Sequence, residues 1–181
     1  MKDGFVRVGS ATPELKVADP LYNAEKIIEL VLQAQKVNIK ILFFPQLALS
    51  SNSVYDLVKS QTLIRQSEEG LHRILEATKD TDILFFVSLP LAANNATYIG
   101  AAACLRGEVL GFVGKQSVTS DHTLFKPAPE IGSIVFNQVS YDFGHQLLFQ
   151  SVDDSRLVVG VEFNDDVYRL EPPSLRFVKN G

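Results

Sequence analysis

Ile39-Lys40-Ile41-Leu42-Phe43-Phe44-Pro45-Gln46-Leu47 is the stretch on which the reading of the fold turns. Ile39 to Phe44 is an almost unbroken apolar run with two aromatics, the pattern of a strand covered on both faces. Pro45 lacks the N–H that a ladder needs and ends it. Upstream, Asp19-Pro20 opens a helix in which Ala24, Ile27, Ile28, Val31, Leu32 and Gln35 form one mostly apolar stripe. Before that, Gly4 to Thr12 alternates Phe5, Arg7 and Gly9 against Val6 and Val8 and reads as a first strand. Downstream, Ser50-Ser51-Asn52-Ser53 is a loop, and Leu63 to Lys79 is a second helix with Ile64, Leu71, Ile74, Leu75 and Thr78 on one side. Ile83 to Leu91 is another buried strand. Strand, helix, strand, helix, strand predicts an α/β layer structure.

The pattern then changes. Turn signals at Asn94-Asn95 and Arg106-Gly107 separate short strands at Thr97–Leu105 and Glu108–Val113, as in an antiparallel meander. Lys115 to Gly132 is a long polar loop containing Pro127 and Pro129, and loops of that length are often functional. Strands follow at Ser133–Val139, Gln146–Ser151 and Leu157–Phe163, the last two joined across Asp153-Asp154. Pro172-Pro173-Ser174 reads as a helix start with a cap at Ser174, and only seven residues follow it. Three segments stand out as strands running into tight turns, where α/β enzymes place reactive side chains. They are Phe43 to Leu47, Gly111-Phe112-Val113-Gly114-Lys115 and Gly160-Val161-Glu162-Phe163-Asn164-Asp165-Asp166.

Composition narrows the classes. The 181 residues suit one domain, expected over 1–181, with room for a sizeable core. With 46% hydrophobic and 21% charged residues, the balance is that of a globular chain and not a disordered one. A net charge of −4 without a basic run argues against nucleic acid as a partner. There is no apolar signal core and no stretch of membrane-spanning length, so no membrane partner is expected and the default location is the cytoplasm. Cys104 is the single cysteine, which rules out an internal disulfide; in a strand interior it reads as a packed, inert thiol. His72, His122 and His145 lack metal-ligand spacing, and neither a metal nor a cofactor is expected. The acidic pairs Asp153-Asp154 and Asp165-Asp166 lack the spacing of a calcium loop and read as turn residues. Gly114-Lys115-Gln116-Ser117 is not a phosphate-binding loop, since the required upstream glycine would fall at Val109 and the lysine is followed by Gln116.

Several short pieces occur together in one order. They are Gly4-Phe5-Val6-Arg7-Val8, Val17-Ala18-Asp19-Pro20 with Tyr22-Asn23-Ala24-Glu25, Phe44-Pro45, and Ala77-Thr78-Lys79-Asp80 with Asp82-Ile83-Leu84. Leu89-Pro90-Leu91, Val109-Leu110-Gly111 with Lys115, Gly160-Val161-Glu162 and Pro172-Pro173-Ser174 complete the set. Their order and spacing resemble the carbon–nitrogen hydrolase (nitrilase-like) family, most closely the glutaminase domain of the NAD synthetase branch. The resemblance implies a four-layer α-β-β-α sandwich, here incomplete at its C-terminal end and without a synthetase half. Because family domains pair through helices, it also implies a homo-oligomer.

The family hydrolyses amides through a thioester, with a Cys nucleophile, a Glu base and a Lys that stabilises the oxyanion. Lys115 matches that lysine. Gln46 falls at the base, and an amide cannot take a proton at neutral pH. Asn164 falls at the nucleophile, and asparagine is not an activated one. Asp165 stands where the next family residue is usually Glu, Thr123 where a supporting glutamate is expected, and Ser50-Ser51-Asn52 where the family has Thr-Gly-Tyr. Two functions follow. One is a degenerate, inactive glutaminase acting as a binding, assembly or regulatory module, or as the remnant of a longer enzyme, with a small amide or amino acid as the ligand of a vestigial pocket. The alternative is an active amide hydrolase supplying ammonia for NAD synthesis, against which Gln46 and Asn164 weigh.

Overall fold

The computed structural model describes residues 4–118 and 124–180. α1 (Pro20–Lys36) begins where the sequence places it: Asp19 caps it by accepting the Tyr22 N–H at 3.1 Å, and Pro20 occupies the first turn. It buries Ala24, Ile27, Val31 and Ala34, whereas Leu32, expected on the same stripe, is at the surface. Asn23 joins the buried face of the helix. Its Nδ2 donates to the carbonyls of Lys16 (2.8 Å) and Leu49 (2.9 Å), and its Oδ1 accepts the Lys16 N–H (2.8 Å). A buried amide is tolerated there because its hydrogen-bonding groups are matched, and it ties α1 to the segment just beyond Gln46. α2 (Gln61–Thr78) buries Ile64, Leu71, Ile74, Leu75 and Thr78, the side read from its periodicity.

Seven strands form one sheet: β1 (Val8–Ser10), β2 (Ile41–Phe43), β3 (Leu84–Ala93), β4 (Ala96–Leu105), β5 (Glu108–Gly114), β6 (Gly132–Phe136) and β7 (Val139–Gly144). Their order is β1-β2-β3-β4-β5-β7-β6. β1, β2 and β3 run parallel, with Ser10, Phe43 and Phe86 in register, and β3-β4-β5 is the expected antiparallel meander. α1 and α2 cover one face, packing Ile27, Val31, Leu71 and Ile74 on Leu42, Phe85, Val87 and Phe112. The other face carries an antiparallel ribbon of β8 (Leu148–Gln150) and β9 (Val158–Gly160). Phe149 and Val159 of the ribbon meet Ile41, Phe86 and Ala103 of the sheet, and the Phe86 and Phe149 rings are edge-on at 5.5 Å.

α3 (Pro173–Lys179) lies on the ribbon's far side. Side chains alternate across a strand. Val159 and Val161 face the sheet, so Gly160 faces outward, and a Cβ there would stand 2.6 Å from the Phe177 ring of α3. Helix, sheet, ribbon and helix give the α-β-β-α order. Among the described residues no helix is long and apolar enough to cross a membrane.

Four expectations are corrected. β1 covers three residues of the Gly4–Thr12 run. Ser133–Val139 is not one strand but the hairpin β6–β7, because the chain reverses at Asn137 (φ 49°) and Gln138 (φ 63°). Asn-Gln is a weaker turn signal than Asn-Gly, since glutamine has a Cβ that opposes positive φ. β8 and β9 are also each shorter than the runs read for them. Finally, Ser174 does not cap α3: the helix starts at Pro173, Pro172 holds the cap position, and no side chain bonds to the first turn.

Gly114 closes β5 at a point where a side chain has no room. A Cβ there would run into that of Ala128 and approach the Phe143 ring to 2.8 Å. Ala128 cannot withdraw freely, because its N–H donates to the Lys115 carbonyl at 2.9 Å. Gly114→Ala is expected to destabilise the fold by about 1–3 kcal/mol, read as a lower urea midpoint. An unchanged midpoint would show that the Ala128 segment is not held.

Candidate functional site

Lys115 continues the edge of β5: its N–H donates to the Ile99 carbonyl at 2.9 Å. Its side chain is 1% exposed, and Nζ lies 2.7 Å from Asp165 Oδ1 and 3.9 Å from Asp166 Oδ1. A buried ammonium is tolerated only with a charge partner, and the turn after β9 supplies it. Asp166 is wholly buried and accepts the N–H groups of Gln116 (3.0 Å) and Ser117 (3.1 Å) together with the Ser117 hydroxyl. One carboxylate thus fixes the loop leaving β5 through three donors, while the other meets the lysine. Asp165-Asp166 do lie in a turn, as read from the sequence, and beyond that they form the clamp between two strand ends. No local pattern marks that role, since the groups they meet lie about fifty residues away along the chain.

Asn164 opens a short 3-10 segment, Asn164–Tyr168, with φ of 26° and an exposed side chain. Phe163 anchors the turn from beneath, and its carbonyl accepts the Asp166 N–H at 2.7 Å. Gln46 lies on the turn after β2. There Leu47 is buried at φ 55°, its carbonyl accepts the N–H groups of Ser50 and Ser51, and the Leu49 N–H reaches the Ser88 carbonyl at 3.1 Å. Gln46 Nε2 donates to Asn52 Oδ1 at 3.2 Å.

The three turns rest on one apolar cluster. Leu47 beside Gln46, Val113 before Lys115 and Phe163 beside Asn164 pack together with Val54, Ile99 and Phe125. Lys115 contacts the 164–166 turn through its ion pair with Asp165, and the Gln46 turn shares the apolar cluster with both.

The other candidates lie elsewhere. Cys104 is fully buried in β4 with Sγ 3.6 Å from the Ala102 carbonyl, and burial pushes its thiol well above the ordinary range. His72 stacks on Phe136 at 5.8 Å, and His145 is buried with Nδ1 3.2 Å from the Ala128 carbonyl. His122 and Thr123 lie outside the described residues. Among the described residues no cluster of three or more His, Cys, Asp or Glu could hold a metal ion.

No family model matches the chain. The glutamine-dependent NAD(+) synthetase of Mycobacterium leprae is 30% identical over 177 residues, 94% of this chain and 26% of that protein. The chain is a relative of the glutaminase domain of glutamine-dependent NAD synthetase. It spans about a quarter of the length of the curated relatives it matches, as the 26% coverage shows. The crystal structure of a glutamine-dependent NAD(+) synthetase from Cytophaga hutchinsonii shares its fold at TM-score 0.78 and 24% identity, covering 87% of this chain and 27% of that one. A mutant of the Nesterenkonia AN1 amidase, from the nitrilase superfamily, superposes at TM-score 0.59 and 17% identity over 75% of this chain and 53% of its own. The fold is therefore nitrilase-like, as its sequence implied.

Asp166→Ala would strand two backbone donors and leave Lys115 with one partner. Removing one member of a buried charge cluster costs about 3–5 kcal/mol. Asp165→Ala, at a position 28% exposed, is expected to cost less because water reaches the lysine. Chemical denaturation of both variants gives the ranking, and the reverse order would show that Asp166 does not hold the loop.

Proposed function

We propose that this chain is a non-hydrolysing relative of the glutaminase domain, acting as a binding or assembly module. The Lys115–Asp165 pair carries the reading. An oxyanion-stabilising lysine acts by meeting negative charge that develops on the substrate. Here a carboxylate of the chain itself stands 2.7 Å from Nζ and another at 3.9 Å. The two remaining chemical positions hold amides. Gln46 cannot take a proton, and Asn164 cannot attack a carbonyl. Cys104 does not substitute, being buried in β4 with its thiolate disfavoured. A small amide or amino acid entering the site would be held by polar groups and leave unchanged.

Glutamine incubated with the pure protein is expected to release no ammonia above the blank. Turnover that disappears in Lys115→Ala would overturn the proposal, because a contaminant would not respond to that change.

Restoring both groups tests how much else has changed. Gln46→Glu with Asn164→Cys is expected to give an exposed thiol that iodoacetamide alkylates readily, with buried Cys104 as the unreactive control. Glutamine turnover should nevertheless stay far below the enzyme median of about 10 per second. Reacting groups displaced by about 1 Å can lose roughly a hundredfold in rate, and Asp165 already engages the lysine. Turnover near the median would show that only two groups separate this chain from an amidase.

A further inference from the structure

The seven-stranded sheet has two edges, β1 and β6, and they differ. β1 is three residues long and follows Arg7, whose carbonyl accepts the Lys40 N–H. β6 is five residues long within an uncharged, proline-free run from Ile131 to Tyr141, rich in β-branched and aromatic residues. Ile131 is 71% exposed and Val135 68%. Soluble proteins usually protect such an edge with a lysine, a proline or a covering segment, and among the described residues none of these stands on β6.

The hairpin register says which backbone groups are open. Asn137 and Gln138 form a two-residue turn, so the flanking Phe136 and Val139 are the hydrogen-bonded pair. Alternation then points the N–H and C=O groups of Ile134 at Tyr141 of β7, and those of Ser133 and Val135 away from the sheet. Among the described residues, no backbone bond to another element satisfies Ser133 or Val135.

We propose that β6 pairs antiparallel with β6 of a second copy, about a two-fold axis through Ile134. Two observations commit the edge to its own copy. First, the open groups are self-complementary. With Ile134 opposite Ile134 of the second copy, Ser133 of each chain faces Val135 of the other, and these two pairs are the ones whose N–H and C=O groups point outward. Four backbone bonds close, and the ladder to β7 is untouched. Second, a two-fold axis brings every charge near it toward its own like, which would repel, and the Ile131–Tyr141 run carries none. The contact joins two seven-stranded sheets into one continuous sheet and closes, since each chain has one β6. α3 reaches the chain two residues before β6 through the Arg176–Glu130 ion pair at 2.7 Å, and the contact does not depend on the proposed function.

Size exclusion with light scattering at micromolar concentration is expected to give twice the 20.0 kDa protomer mass. Val135→Pro removes one outward donor while sparing the β7 ladder, and Val135→Lys places two like charges across the axis. Each is expected to halve the mass with unchanged circular dichroism. Amide exchange on the unaltered protein decides the matter if a variant fails to fold. The Ser133 and Val135 N–H groups should be protected at high concentration and lose protection on dilution, while the Ile134 N–H stays protected throughout. A monomer at all concentrations would overturn the proposal. So would a dimer that survives both substitutions, or one dissociated instead by Val178→Glu on α3.

Discussion

The buried ammonium of Lys115 is the constraint around which the site end of the molecule is arranged. A side chain 1% exposed cannot keep its charge without a partner, and the partner comes from a segment fifty residues further along. That requirement places the turn after β9 over the end of β5 and fixes where the ribbon crosses the sheet. Asp166 completes the arrangement from the opposite direction, holding Gln116 and Ser117 so that the lysine leaves the sheet at one angle. Electrostatics and topology are the same fact here: separating β5 from the 164–166 turn would leave an unpaired lysine and two unpaired backbone donors on one side and two unpaired carboxylates on the other.

The layers around that junction follow from strands that cannot tolerate water on either face. Phe85 and Val87 turn to α1 and α2, whereas Phe86 turns to Phe43, stacked at 5.1 Å, and to Phe149 of the ribbon. Two strands cover the second face only in part. Phe43 and Leu84 stay half-buried, and Val8 is 56% exposed. α3 contributes Phe177 against Gly160, while its Leu175 and Val178 face outward. The helix side of the sheet is the complete one, and the ribbon side holds the candidate site.

What was legible in the sequence divides along the same line. The helices and the meander were readable because each has a local cause: the Asp19 cap, the apolar stripe of α2, and turns at Asn94-Asn95 and Arg106-Gly107, whose residues take positive φ. The β6–β7 hairpin was hidden because Asn137-Gln138 adopts a turn geometry its composition only weakly favours. Lys115 could be singled out through its place at a strand end and the family pattern. The Asp166 clamp could not, because its partners lie about fifty residues away and its role exists only after folding has buried it. Local periodicity carries no information about which carboxylate will meet which amide.

This bears on what the intact lysine means. The resemblance implies a catalytic position for Lys115, yet the fold needs a cation there regardless of chemistry, since the carboxylates of Asp165 and Asp166 close around it. A residue required for packing says little about activity by its presence. Positions 46 and 164 are the informative ones. The Asn164 side chain is exposed on a turn whose geometry is set by Phe163 and Asp166, and the backbone at Gln46 is shaped by Leu47 and Ser88. The exposed Asn164 side chain could give way to a nucleophile without disturbing the core, whereas Gln46 is engaged by its bond to Asn52 Oδ1. An amide at each, beside a lysine already paired, describes a scaffold whose structural electrostatics are whole while the groups that only catalysis would require are different.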